Sequence, residues 1–295
     1  MLIAVAADKG APGVTTTAVA LAAVWPRPVL LAECDPAGGD IVYRLPGAGG
    51  DRLDPRRGLL SLAVAARRDL QAAQLWTHAQ KLRGGLDVLL GVTNADQGAG
   101  LEPLWGPVGS ALAGLPQADV IADCGRLGPA GPYYDLLAHA AVIVLITRPS
   151  LGELVRLRDR AAVVSLAVRE RGSAAARLGV LTVADHRGLS RALAEVGQVL
   201  GRDSAVSVLG GIAFEPRSAE PLRGEWGGRL DKSLLIRTAR QAAGRLAGQP
   251  AVAPASARGM ARAAGPAPAS ARHAAGRALP AGHRADVPAA EPGGW

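Results

Sequence analysis

The sequence predicts an α/β fold, a doubly wound and mainly parallel sheet of about seven to eight strands flanked by helices. Three observations point to it. Apolar strand-like runs alternate with helical stretches along residues 1–247. The strand-like runs are apolar throughout, as strands covered on both faces must be, instead of alternating apolar with polar. A glycine-containing loop joins the first strand to the first helix, at the edge where such sheets carry their sites.

The elements follow in order. "LIAVAA" is the first strand, and the helix predicted from Thr16 to Val24 leaves the loop behind it. "PVLLAE" (28–33) is the second strand, and a helix is expected over Leu59–Arg68 before "LDVLL" (86–90). "DVIAD" (119–123) and "AVIVLIT" (141–147) come next, followed by a helix over Leu151–Val168. "LGVLTVA" (178–184), a helix over Leu189–Leu200, "VSVLGGIAF" (206–214) and a helix over Lys232–Leu246 complete the alternation. From about Gly248 onward Pro, Ala, Gly and Arg replace any periodic pattern. The expectation is a domain over residues 1–248 and a disordered tail over 249–295.

Composition narrows the class. A chain of 295 residues with 49% hydrophobic content can build a sizeable core. Cys34 and Cys124 are too few for a disulfide framework or a cysteine-rich zinc site, and the histidines are scattered, so reduced thiols and a cytoplasmic location are expected. No signal-peptide pattern opens the chain. The apolar run "AHAAVIVLI" falls well short of the roughly 20 residues needed to cross a bilayer. The net charge is +8, of which the five arginines, Asp286 and Glu291 of residues 251–295 supply +3. Such charge allows non-specific contact with DNA but identifies no partner, and a GC-rich genome would equally favour arginine.

The loop carries the chemistry. A phosphate-binding loop reads G-x-x-x-x-G-K-[ST]: its amides curl around phosphates, its lysine reaches them and its hydroxyl serves Mg²⁺. Here the frame runs Asp8, Lys9, Gly10, Ala11, Pro12, Gly13, Val14, Thr15, Thr16. The hydroxyl is present, valine stands where the lysine belongs, and another lysine sits near the start. The second strand runs into "AECDPAGGD", with Glu33 and Asp35 at its end, and the fourth ends at Asp123 in "DVIADCG". If the first, second and fourth strands are neighbours, a threonine and three carboxylates share one pocket, as a magnesium nucleotide requires.

These residues resemble the ParA/MinD group of P-loop proteins, whose deviant Walker A motif reads G-K-G-G-x-G-K-[ST]. Lys9, Gly10, Gly13, Thr15 and Thr16 match the loop, "LLAECDPAGG" the D-x-D-P-Q-G segment and "DVIADCG" Walker B. "VIVLITRPSLGELVRLRDR" and "VLGGIAFEPRSAEPLRGE" resemble later segments of the family, so the likeness spans nearly all of residues 1–247. The resemblance implies a P-loop NTPase fold, a homodimer and an ATP–Mg²⁺ site. The nucleotide would lie on Lys9, Gly10, Ala11, Pro12, Gly13, Val14, Thr15 and Thr16. Magnesium would fall to Thr15, Asp123 and Glu33, and the attacking water to Asp35. Lys9 matches the signature lysine that reaches the partner subunit's phosphates, while Val14 replaces the lysine that serves its own subunit. Binding is therefore expected to be weakened, the more so because Ala11 is less permissive than glycine and Asp8 puts negative charge beside an anion site.

The implied role is a nucleotide-controlled dimer that positions cargo. It would serve chromosome or plasmid partitioning, or pilus and secretion assembly in the polar-localisation (CpaE/TadZ-like) branch, through an unidentified protein partner. A membrane-binding role fits least, because no amphipathic helix is evident in the tail. The alternative is a pseudo-ATPase scaffold that keeps the fold for protein contacts, which leaves enzymatic activity open. Each residue also has a plainer reading. The loop would then merely turn a strand into a helix, and Asp35 would cap a turn. Glu33 and Asp123 would be ordinary strand-end carboxylates. Cys34 and Cys124 are expected to be inert buried thiols, and Trp76, Trp105 and Trp226 to serve packing or partner contacts.

Overall fold

A computed structural model describes residues 1–10, 12–66, 70–173, 176–201, 206–223 and 232–249. Ala11, Trp226 and all but the first residue of the tail lie outside the described residues.

Eight strands form one sheet: β1 (Leu2–Ala7), β2 (Val29–Glu33), β3 (Gln80–Lys81), β4 (Asp87–Leu89), β5 (Asp119–Arg126), β6 (Val142–Thr147), β7 (Arg177–Ala184) and β8 (Val206–Ala213). Their order is β3-β4-β2-β5-β1-β6-β7-β8, parallel except for the antiparallel β3–β4 pair at one edge. The predicted parallel α/β sheet is thus present, and β3 is the strand that the sequence reading lacked. Two residues carry no periodicity, so only pairing with β4 reveals it.

The helices, in chain order, are α1 (Val14–Ala23), α2 (Ile41–Arg44), α3 (Leu59–Ala66), α4 (Leu75–His78), α5 (Ala95–Ala99) and α6 (Trp105–Ala113). They continue with α7 (Tyr134–Ala138), α8 (Leu151–Glu170), α9 (Leu189–Leu200), α10 (Pro216–Ala219) and α11 (Leu234–Ala247). α1 begins at Val14, two residues before the predicted start, because the turn of the loop closes on Gly13. α8 starts at an N-cap, Ser150, whose hydroxyl accepts the Glu153 amide at 3.3 Å.

Alternation along β1 divides the apolar side chains between two cores. Leu2, Ala4 and Ala6 face one core with α6, α7 and α8; Ile3, Val5 and Ala7 face the other with α1 and α11. No helix among the described residues is long and apolar enough to cross a membrane.

Candidate functional site

The sheet order puts β2, β5, β1 and β6 side by side. The first, second and fourth predicted strands are therefore neighbours, and their carboxyl ends meet at one edge of the sheet. β1 delivers the loop there. Gly10 and Gly13 take the left-handed backbone with φ of 81° and 97°, which admits glycine at little cost and lets the chain double back into α1. α1 has no side-chain cap and no acidic residue in its first turn, so its leading amides and partial positive charge face the loop without a competing anion of their own.

The two irregular residues of the motif have definite places. Val14, the first residue of α1, is 8% exposed and its side chain packs in the core, so that side chain gives apolar contact and nothing to an anion. Lys9 is exposed, on a shallow depression that it shares with Asp8, Pro12 and Glu153. Asp8 does not confront the loop as an uncompensated charge. Its Oδ1 accepts the Arg160 Nε of α8 at 2.5 Å, and the same guanidinium donates to the Gly128 carbonyl at 2.8 Å.

Asp123 lies at a bulge in β5. Val5 pairs with Asp123 but Ala7 pairs with Arg126, so β5 carries one extra residue, and Gly125 takes φ +55° within it. The Asp123 carboxylate is 2% exposed, and its Oδ1 accepts the Gly125 amide at 3.1 Å. Burial pushes its pKa up to about 6, against the pull of a hydrogen bond from the Thr15 hydroxyl. Thr15, in the first turn of α1, therefore lies near enough to Asp123 to lower its pKa.

Asp35 follows β2. Its Oδ1 accepts the Ala37 amide at 2.8 Å and its carbonyl accepts the Gly38 amide at 3.1 Å, an Asp-Pro turn closed by a left-handed glycine. A Cβ on Gly125 would stand 1.8 Å from Asp35 Oδ2, so the missing side chain at 125 is what lets this carboxylate lie against β5. Burial raises its pKa, while the turn amide and Arg126 oppose the rise.

Glu33 is placed differently. It is 2% exposed, and each oxygen is engaged: Oε1 by the Ile41 amide that opens α2, Oε2 by the Gly91 amide just past β4, both at 3.0 Å. Burial pushes its pKa up to about 7. Gly39 and Gly91 leave room for it, since a Cβ at 39 would fall 1.9 Å from Glu33 Cδ. Glu33 thus ties β2, β4 and α2 together.

Among the described residues no group of three or more His, Cys, Asp or Glu side chains is gathered to hold a metal. Mg²⁺ keeps several waters and takes one or two protein oxygens plus phosphate. Both Glu33 oxygens accept amides, whereas of the Asp123 oxygens Oδ1 accepts the Gly125 amide.

Sequence reasoning missed the other wall. A small cavity of about 80 Å³ opens beside the loop, lined by Pro12, Gly13, Thr16 and Thr17 together with Arg148, Phe214 and Glu215. Arg148 follows β6 and Phe214 follows β8, so reading the residue after each strand would have found both.

No family model matches the chain, and no curated protein matches it. Solved structures do. A ParA family ATPase from Chlorobium tepidum is 19% identical with a TM-score of 0.59, covering 82% of this chain and 98% of that one. The septum site-determining protein MinD of Pyrococcus horikoshii, complexed with Mg-ADP, is 17% identical with a TM-score of 0.58 over 84% and 97%. A cobyrinic acid a,c-diamide synthase from Mycobacterium smegmatis, with bound ADP and magnesium, is 19% identical with a TM-score of 0.55 over 83% and 93%. This last likeness means that the fold alone selects no single role. At these identities the likeness concerns architecture, and the chain has the fold of the ParA/MinD-type P-loop ATPases.

Proposed function

We propose that the chain is a nucleotide-dependent switch that binds ATP–Mg²⁺ weakly, hydrolyses it slowly and associates as a homodimer to position a cargo. The observation that carries this reading is the uncapped N-terminus of α1 behind the turn through Gly10 and Gly13, with the buried Asp123 at the β5 bulge and Asp35 in the neighbouring turn. The amides of the loop and the first turn of α1 would hold the phosphates. Thr15 and Asp123 would hold magnesium, which when bound neutralises phosphate charge. Asp35, fixed by its own turn, would orient the attacking water. The Val14 side chain offers no hydrogen bond. A charge-assisted hydrogen bond is worth roughly 1.5–3 kcal/mol, so its loss weakens affinity by about ten- to a hundredfold. ParA- and MinD-type neighbours support a positioning role; partitioning of DNA and localisation of an assembly apparatus are the two cargo classes. Calorimetry tests the site: the natural chain should bind ATP–Mg²⁺ at high micromolar to millimolar concentration, and Thr15→Ala should weaken that about tenfold. No heat at millimolar nucleotide from folded protein would remove the reading.

The buried Val14 favours one other function, a scaffold that keeps the fold for protein contacts without cycling ATP. It requires that Thr15→Ala and Asp123→Asn leave partner binding unchanged, whereas a switch would lose nucleotide-dependent binding in both.

A further inference from the structure

We infer that Arg148 supplies, within the same subunit, the positive charge that Val14 does not, by binding a phosphate oxygen of the nucleotide. This rests on the nucleotide-binding reading above and names the cation that completes it.

Arg148 stands immediately after β6, the strand beside β1, so it rises next to the loop that β1 delivers. Its backbone is pinned there, because the Arg148 amide donates to Glu153 Oε2 at 3.0 Å. Arg148 lines the same small cavity as Gly13, Thr16 and Thr17. It is only partly exposed and lies over the Phe214 ring at 4.8 Å from the centroid. Among the described residues no carboxylate forms an ion pair with it. Glu215 shares the cavity, but its Oε2 accepts the Leu235 amide at 3.1 Å.

An arginine cannot shed its proton, so a partly desolvated guanidinium without an anion carries a standing demand for one. Its planar fork matches two phosphate oxygens, and stacking on an aromatic ring leaves the edge donors free. The loop therefore has a cation on either side, with Pro12 lining both hollows: Lys9 lies exposed on one, where a second subunit can be met, and Arg148 lines the other.

Calorimetry with ATP–Mg²⁺ on the full chain tests this, using Arg148→Gln, Arg148→Lys and Phe214→Leu, with melting curves to confirm that each is folded. Arg148→Gln should weaken affinity about ten- to a hundredfold, Arg148→Lys should recover most of it, and Phe214→Leu should cost less than about fivefold. A loss below threefold in Arg148→Gln would overturn the inference while leaving nucleotide binding intact. Equal losses in Arg148→Gln and Phe214→Leu without recovery by lysine would also overturn it, in favour of stacking on the base. A natural chain that binds no ATP at millimolar concentration would remove the nucleotide reading and this inference together.

Discussion

At the scale of single residues, charge in this site is decided by partners too distant in sequence to be read together. Asp8 sits beside the loop and reads as an obstacle to phosphate, yet Arg160, 152 residues away, absorbs its charge. The placement of Thr15, Asp35 and Asp123 was legible because they open a helix, follow a strand and lie near a strand's end in recognisable segments. Glu33 was legible only as a strand-end carboxylate. Its two amide donors come from Ile41 and Gly91, and no pattern announces either. Its titration gives a direct test. Burial raises the Glu33 pKa from 4.5 to about 7, so the folded state holds a proton that the unfolded chain has released. Stability should therefore decline as pH rises from about 4.5 to about 7 and level off above, a loss on the order of 3 kcal/mol. Asp123 adds a similar decline between 3.8 and about 6. Urea unfolding at steps of pH should show this slope, and Glu33→Gln should flatten its upper part whatever it does to absolute stability. An unaltered slope in that variant would mean that Glu33 ionises as an ordinary carboxylate.

At the scale of elements, the buried parallel strands were easiest to read, because apolar side chains facing two cores leave a continuous apolar run. α6 was not legible. Its sequence, WGPVGSALA, holds Gly106, Pro107 and Gly109 in nine residues, a composition with poor intrinsic helix preference. Packing overrides propensity there: Trp105, Val108 and Leu112 are buried, and a Cβ on Gly109 would lie 2.8 Å from the Leu136 Cα, so glycine is what lets α6 approach α7. Gly98 in α5 plays the same part against the Asp35 turn, where a Cβ would fall 1.9 Å from the Pro36 carbonyl oxygen. Gly197 in α9 has nothing within 4 Å of a Cβ and no left-handed backbone. The two glycines should answer alanine oppositely. Gly98→Ala is expected to cost about 1–3 kcal/mol and to loosen the Asp35 turn, while Gly197→Ala should gain about 0.5–1 kcal/mol from helix propensity. Chemical denaturation of both variants measures this, and a shift of equal sign would contradict the packing argument.

At the scale of the whole molecule, the sheet collects the candidate site residues that follow β1, β2, β5, β6 and β8 at one end, yet leaves Lys9 exposed and Val14 buried. A lysine that no core contact fixes is available to a second copy of the chain. If Lys9 reaches across to that copy's phosphates, nucleotide binding and dimerisation are linked, because a ligand that prefers the dimer must stabilise it to the same degree. Hydrolysis should then be slow, since positive charge close to the phosphates of its own subunit is reduced to what the loop amides and Arg148 provide. Sedimentation with and without ATP–Mg²⁺ decides the point. The natural chain should shift toward dimers on adding nucleotide, and Lys9→Ala should abolish the shift without altering the melting temperature. Val14→Lys should respond in a mixed way. It forfeits the apolar burial of Val14, about 1.5–3 kcal/mol, and so should melt lower without ligand. It should also show a larger stabilisation by ATP–Mg²⁺ if the ammonium turns out toward the loop. Association that ignores nucleotide in the natural chain, and an identical profile for Lys9→Ala, would instead assign the loop an architectural part and leave the scaffold reading standing.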